Sequence, residues 1–465
     1  MDTIFLFIPV LSPRLKYTAE YLFTDLLGLQ INWIKDPIAF ASIQQEKIAL
    51  CQSQREPLST TTPVFLYVDS WISQPENRIL EKTELEDTWT DLPFPILENK
   101  ELSKKNSSPS AFLLNFDIFS AAFFLLSRYE EYRPKSERDQ YGRYMATNSY
   151  LYQKGWLEKP VINIWVEELR TKLKKEFPNL HIREPKFRIL PTIDIDRGFA
   201  FLHKPVYKII GGFLKYPKEF ILRSKVLIGL RKDPFHCIEE IIQLHQSIGL
   251  ESKIFVLCGN YNRLDTGNAY KTKAYKKLFK EIETFNYSKK SNKKEGNPFT
   301  EIGIHLSISS NFYPLLRSKE LALLQKILSS KIQSNRQHFI ILDFPTSYKN
   351  LVDLDIKNDY SLGYPDLPGF RAGICTPFPF YDLSTEKKHA LTIYPFCTMD
   401  VTHARYLGES LEEAFIHIRN LMQEVKAVNG LFIPLFHNES LSGIKPWKGW
   451  KEAYEKLLKE NANLD

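Results

Sequence analysis

The chain has 465 residues, of which 43% are hydrophobic and 25% charged, with 32 Phe and 23 Tyr. That balance excludes disorder on a domain scale and leaves room for two cores. The 62 basic and 55 acidic residues give a net charge of +7; much of the excess is read in Lys289-Lys290-Ser291-Asn292-Lys293-Lys294, a solvated loop without interleaved aromatics, so no nucleic-acid partner is expected.

The apolar run at 4–8 follows Asp2 and lacks a basic leader and a small-residue cleavage site, so it reads as a buried strand and not as a signal peptide. No later run reaches the ~18 apolar residues of a spanning helix, and a cytoplasmic protein without a transmembrane segment is the expectation. Residues 62–68 read as a strand. Residues 116–128 read as a helix leading into Tyr129-Glu130-Glu131-Tyr132, and 162–175 as an amphipathic helix closed by Phe177-Pro178-Asn179. The polar, proline-bearing stretch 183–186 then marks a domain boundary. It divides a smaller α/β or α+β unit, 1–185, from a second unit, 186–465.

Beyond the boundary, β-branched runs alternate with helical patterns, the grammar of βα units. The expected strands are 187–195, 253–257, 301–305, 339–344, 369–374, 391–396 and 431–437. A helix at 238–248 stops at Gly249, and one at 411–428, with Leu411, Ala414, Phe415, Ile418, Leu421, Met422 and Val425 at helical spacing, stops at Gly430. Seven such strands predict an α/β fold, a distorted (β/α) barrel. Asp194, Asp196, His305, Arg371, Asp400 and His437 all fall at or just past carboxy-terminal strand ends, and in a parallel barrel those ends meet on the face where active sites are built.

The residue types at these positions suggest chemistry. Asp194 and Asp196 share one side of an extended segment, and two such carboxylates repel unless a cation or a proton separates them; exposed loop carboxylates are the alternative. His305, ending Glu301-Ile302-Gly303-Ile304-His305, is either a satisfied structural histidine or the nitrogen ligand that Zn²⁺ prefers. His437 is either a hydrogen-bonded imidazole or a general acid. Arg371 needs a carboxylate partner, Asp194 or Asp400, or else forms a core salt bridge. The five cysteines, Cys51, Cys237, Cys258, Cys375 and Cys397, show no CxxC pair and read as reduced thiols. No GxxxxGK[ST] or GxGxxG loop supports a nucleotide-dependent transferase, and no GxSxG elbow supports a serine hydrolase.

Four short segments in chain order resemble motifs of the polysaccharide deacetylases of the NodB-homology class, a carbohydrate esterase family. They are Thr192-Ile193-Asp194-Ile195-Asp196, Glu301 to His305, Gly369-Phe370-Arg371 and Leu435-Phe436-His437, with Asp400 placed where a further motif falls. The resemblance covers roughly 187–450. The amino-terminal part, with 125–132 and 139–144, looks like an uncharacterised domain that accompanies such deacetylases in Bacteroidetes-type proteins. The resemblance implies Asp194 as general base, Asp196 and His305 as ligands of a divalent metal, zinc in particular, and Arg371 holding Asp194 charged. It implies His437 as the acid, with Asp400 beside Arg371 or His437, and an acetylated sugar or polysaccharide as substrate. One departure stands out: the family's second histidine, four residues after the first, is Ser309 here. Asn311, His403 or water are then the candidates to complete the site. The rival reading is a degenerate, non-catalytic relative that binds carbohydrate, with Trp447 and Trp450 as stacking faces or, more simply, core residues.

Overall fold

A computed structural model of the chain describes residues 1–51, 64–68, 72, 113–114, 116–132, 137–259, 265, 272–287 and 300–461. The lysine-rich loop at 289–294 lies outside them.

The amino-terminal strands are β1 (Thr3–Phe7), β2 (Gln30–Ile34), β3 (Lys47–Cys51) and β4 (Phe65–Tyr67). They form one parallel sheet in the order β2-β1-β3-β4. The run at 4–8 is thus a central strand, and β4 lies inside the 62–68 expectation. Helix Ile118–Leu126 is buried on every side, which explains why it is apolar all round and not amphipathic. Its first turn is capped by Asp117, whose carboxylate accepts from the Phe119 and Ser120 amides at 2.9 and 3.0 Å.

The second half runs β5 (Arg188–Ile189), β6 (Thr192–Ile195), β7 (Ser252–Leu257), β8 (Thr300–Leu306), β9 (Ser334–Gln337), β10 (Asn358–Asp359), β11 (Phe378–Asp382), β12 (Lys387–Ile393), β13 (Thr398–Met399), β14 (Leu431–Phe432) and β15 (Pro434–His437). β5 and β14 pair with each other. The other nine make one sheet, β11-β12-β10-β9-β8-β7-β6-β15-β13, parallel throughout except for antiparallel β11 at one edge. The α/β class with a parallel sheet is as expected; the barrel is not. β11 and β13, at the two edges, do not pair with each other among the described residues, so the sheet is open.

Strand positions differ in two informative places. Residues 369–374 form turns and no strand. The strand expected at 339–344 lies five residues earlier, at β9, whose four residues Ser334, Asn335, Arg336 and Gln337 are all polar and all buried. A hydrophobicity reading passes over such a segment. Helices Ile238–Ser247 and Leu411–Ala427 fall where their spacing puts them, the second opened by a Ser410/Glu413 capping box.

The two halves share a core. One continuous apolar cluster contains β1, helix Ile118–Leu126, the β6–β8 strands and the Leu411–Ala427 helix. Tyr17 donates to the Pro379 carbonyl of β11 at 2.8 Å, and Arg14 pairs with Glu386 at 2.7 Å.

Candidate metal centre and active site

Parallel pairing aligns the carboxy-terminal ends of β15, β6, β7, β8 and β9, with His437 opposite Asp194 and His305 opposite Arg336. In an open α/β sheet this edge is where ligands bind. Here it opens on a cavity of about 910 Å³ whose wall includes Asp194, Asp196, His305, His338 and His437.

Asp196 lies at the centre of this wall. His305 Nε2 is 3.3 Å from its Oδ1, His338 Nε2 is 3.4 Å from its Oδ2, and His437 Nε2 is 3.9 Å from Oδ2. The ligand atoms of Asp196, His305 and His338 all lie within 4.8 Å of one another. The tautomers follow from the neighbours. His305 Nδ1 donates to the Arg336 carbonyl at 2.9 Å, and His338 Nδ1 donates to buried Asp265 at 2.7 Å. Each ring thus spends Nδ1 as a donor and turns Nε2 toward Asp196, the atom through which it could ligate a metal once that nitrogen carries no proton. Asp196 Oδ1 is buried with no hydrogen-bond donor, a costly state that a cation relieves. Two imidazole nitrogens and a carboxylate oxygen are a donor set that suits Zn²⁺ and similar divalent ions.

His338 was not among the sequence candidates, and those proposed in its place lie elsewhere. The Ser309 amide faces Asp265 at 3.5 Å, and Asn311 Oδ1 accepts from Gln337 Nε2. His403 belongs to a separate chain of contacts with Thr398, Glu409 and His417. That second cluster also has donors within 4.8 Å, but both ring nitrogens of His403 and of His417 already have hydrogen-bond partners.

Asp194 is buried and lies 3.7 Å from His305 Nε2. Its nearby arginine is Arg336, with Nε 3.6 Å from Oδ1. Arg336 is fully buried, donates to Thr192 Oγ1 at 2.7 Å, and packs 4.8 Å from the Phe255 ring centre. Arg371 has a different partner from those expected. It makes a two-point pair with Glu131, at 2.9 and 2.5 Å, and donates to the Gly363 carbonyl at 2.9 Å. Burial works against the Glu131 carboxylate, but Arg371 and Arg128 outweigh it and hold Glu131 below the usual range. The cause is topological: 369–374 is a loop packed on residues 128–131 and not a strand of the main sheet.

Asp400 pairs with His437. Its Oδ1 accepts from His437 Nδ1 at 2.8 Å, and its Oδ2 accepts from the His437 amide at 2.7 Å and from Ser440. Burial disfavours a charged His437 ring, yet Asp400, Asp196 and Asp194 prevail and raise it to about 10. Burial likewise opposes the charge on His338, and Asp196 and Asp265 lift it to about 9.

Residues of the amino-terminal half close the other side of the cavity, notably Tyr141 and Arg143. Arg143 donates to the Phe339 carbonyl at 3.1 Å and to the Tyr406 hydroxyl at 2.9 Å. Trp447 also reaches the wall, although it is largely buried, and Trp450 is a core residue at the start of helix Trp450–Asn461. The five cysteines are free and buried. No helix of the described residues is long and apolar enough to cross a membrane.

Comparison with known proteins adds a family of unknown function, DUF7033, whose model matches residues 4–178. No curated protein matches. Among solved structures, the chain is similar to one designated a polysaccharide deacetylase from Mycobacterium smegmatis, at 12% identity and TM-score 0.38, over 61% of this chain and 86% of that one. A CE4 family pseudoenzyme from Bacillus anthracis matches at 10% identity and TM-score 0.28, over 59% and 63% of the two chains. A polysaccharide deacetylase from Bacillus cereus matches at 12% identity and TM-score 0.27, over 59% and 88%.

Proposed function

We propose that the cavity hydrolyses an acetyl amide or ester on a carbohydrate, with Asp194 as general base and His437 as general acid beside a divalent ion held by Asp196, His305 and His338. The observation that carries this reading is the donor set: two imidazole Nε2 atoms and a carboxylate on one cavity wall, flanked by a second carboxylate and a third histidine. A bound ion of the zinc class supplies Lewis acidity toward a carbonyl and toward water.

The remaining work belongs to the side chains. Asp194 accepts the proton of the attacking water, with Arg336 Nε 3.6 Å from its Oδ1. Asp400 fixes the His437 ring so that Nδ1 is spent as a donor and Nε2 faces the substrate. His437 Nε2 then protonates the departing amine or alcohol. Arg371 has no part beside Asp194 in this scheme, because Glu131 consumes its guanidinium.

The non-catalytic alternative drew on Ser309, and a third ligand from His338 removes that motive. With purified protein loaded with Zn²⁺, Asp194→Asn is expected to lower acetate release from acetylated sugars by about 10²–10⁴-fold while metal content and fold persist. Undiminished release would remove Asp194 from the mechanism.

A further inference from the structure

We propose that residues 204–232 form a docking surface for an anionic phospholipid bilayer, placed beside the cavity. The segment is a helical hairpin, Val206–Lys215 and Phe220–Leu227, joined through the turn Pro217–Glu219. The first helix buries none of its residues, which is unusual for a helix so rich in apolar side chains. Val206, Ile210 and Leu214 recur every four residues along one side, with Val206 70% and Leu214 80% exposed. The second helix continues the pattern with Phe220, Ile221 and then Ile228, all exposed. Nine of the twenty large apolar side chains exposed among the described residues fall between 206 and 230. A concentration of that kind marks a binding surface.

Charge identifies the occupant. Residues 204–232 hold eight lysines and arginines and one acidic residue, Glu219, a local charge of +7; the remainder of the chain, with the 289–294 lysines included, sums to zero, so the excess read at 289–294 is offset elsewhere. Glu219 is itself paired with Arg223 at 2.6 Å. Lys215, Lys218, Lys225, Arg231 and Lys232 are exposed. Protein interfaces are depleted in lysine, and a nucleic-acid groove has no use for exposed Val, Ile and Leu. Aliphatic and aromatic tips bordered by lysines suit the boundary between anionic headgroups and acyl chains. Helices of ten and eight residues are far too short to span and would lie in the surface plane.

The hairpin is anchored at its base. There, buried Asp233 accepts from the amides of Ala200, Phe201 and Leu202 at 2.7, 2.8 and 3.0 Å. Arg197, on the cavity wall, packs 5.3 Å from the ring centre of Phe235 in the same base. The surface thus begins a few residues from Asp196.

The test is flotation of the full chain with vesicles of phosphatidylcholine alone or with one-third phosphatidylglycerol, at low and high salt. The expected result is recovery with the anionic vesicles, about tenfold weaker with neutral ones or in high salt. Recovery should be lost in an I210E/L214E pair and, separately, in a K215E/K218E pair; all four side chains are exposed, and circular dichroism reports whether the fold survives. Protein that stays with the unbound fraction on anionic vesicles would overturn the proposal. So would paired variants that float like the parent, or a dimer in vesicle-free buffer that I210E/L214E dissociates, since the face would then belong to a second copy. The assay needs neither an ion nor turnover, so its failure and that of the hydrolase reading are separate results.

Discussion

At His305 and His338 the Nδ1 proton is committed to an oxygen acceptor, the Arg336 carbonyl in one ring and the Asp265 carboxylate in the other. Those acceptors leave Nε2 of each ring as the nitrogen that the proposed ion would meet. Zinc affinity, read by calorimetric titration, is therefore expected to fall about 10–100-fold in Asp265→Asn and to be lost in His338→Ala, while Ser309→Ala leaves it unchanged. Outside the candidate metal centre, a pH effect of the same sign as those of His338 and His437 belongs to His417. Hydrogen bonding to Glu158 raises His417 to about 9, with burial opposing and Glu409 assisting. Its folded value lies above the ordinary one, so the stabilisation is complete below about 6.5 and disappears as pH rises through about 9. Thermal melts between these limits should show a falling midpoint, flattened in His417→Gln; a flat profile in the parent chain would contradict the assignment.

Among the elements, β9 explains both what the sequence disclosed and what it concealed. Strands β6, β8 and β15 were legible because apolar runs end in Asp194, His305 and His437, and their parallel alignment brings those ends together as expected. β9 has no apolar run. Some of its buried polar groups bond within the sheet, as where Asn335 donates to Asp359 at 2.8 Å, while Arg336 Nε and Gln337 Oε1 have no hydrogen-bond partner; neither state is visible in the sequence. Placing that strand at 339–344 put His338 at the wrong end of it, and that ring was passed over as a candidate. The two-residue strands β10 and β13 were missed for a related reason, being too short to show any period. Gly303 on β8 adds a steric constraint: a Cβ there would lie 2.8 Å from the Ser334 carbonyl of β9 and 2.5 Å from the Phe255 ring. Gly303→Ala should accordingly cost about 1–3 kcal/mol in urea unfolding.

Across the whole molecule, a buried cluster of charged side chains joins the two halves. Glu131 accepts from both Arg371 and Arg128, and Arg128 also donates to the Arg371 carbonyl. All three side chains are buried. Removing one member leaves charge unpaired in a dry interior, so Glu131→Gln is expected to destabilise the fold by about 3–5 kcal/mol without changing zinc stoichiometry, measured by denaturant unfolding beside metal analysis. The boundary near 185 reflects a change of sequence grammar, but the apolar cluster runs through it. Composition cannot reveal this, because a residue such as Phe123 or Tyr17 carries no mark of which half its ring will meet.

A last consequence follows from the backbone just beyond His338. Phe339 and Ile340 adopt left-handed φ angles of 61° and 56°, which for a β-branched residue such as Ile340 is strained, costing on the order of 1–3 kcal/mol. The clasp on that turn comes from the opposite half of the chain: Arg143 holds the Phe339 carbonyl, and Tyr141 packs edge-on to its ring at 5.2 Å. The amino-terminal region thus braces the turn that follows His338. A substitution that frees this turn, at Arg143 or Tyr141, would therefore act on His338 from the other half of the chain.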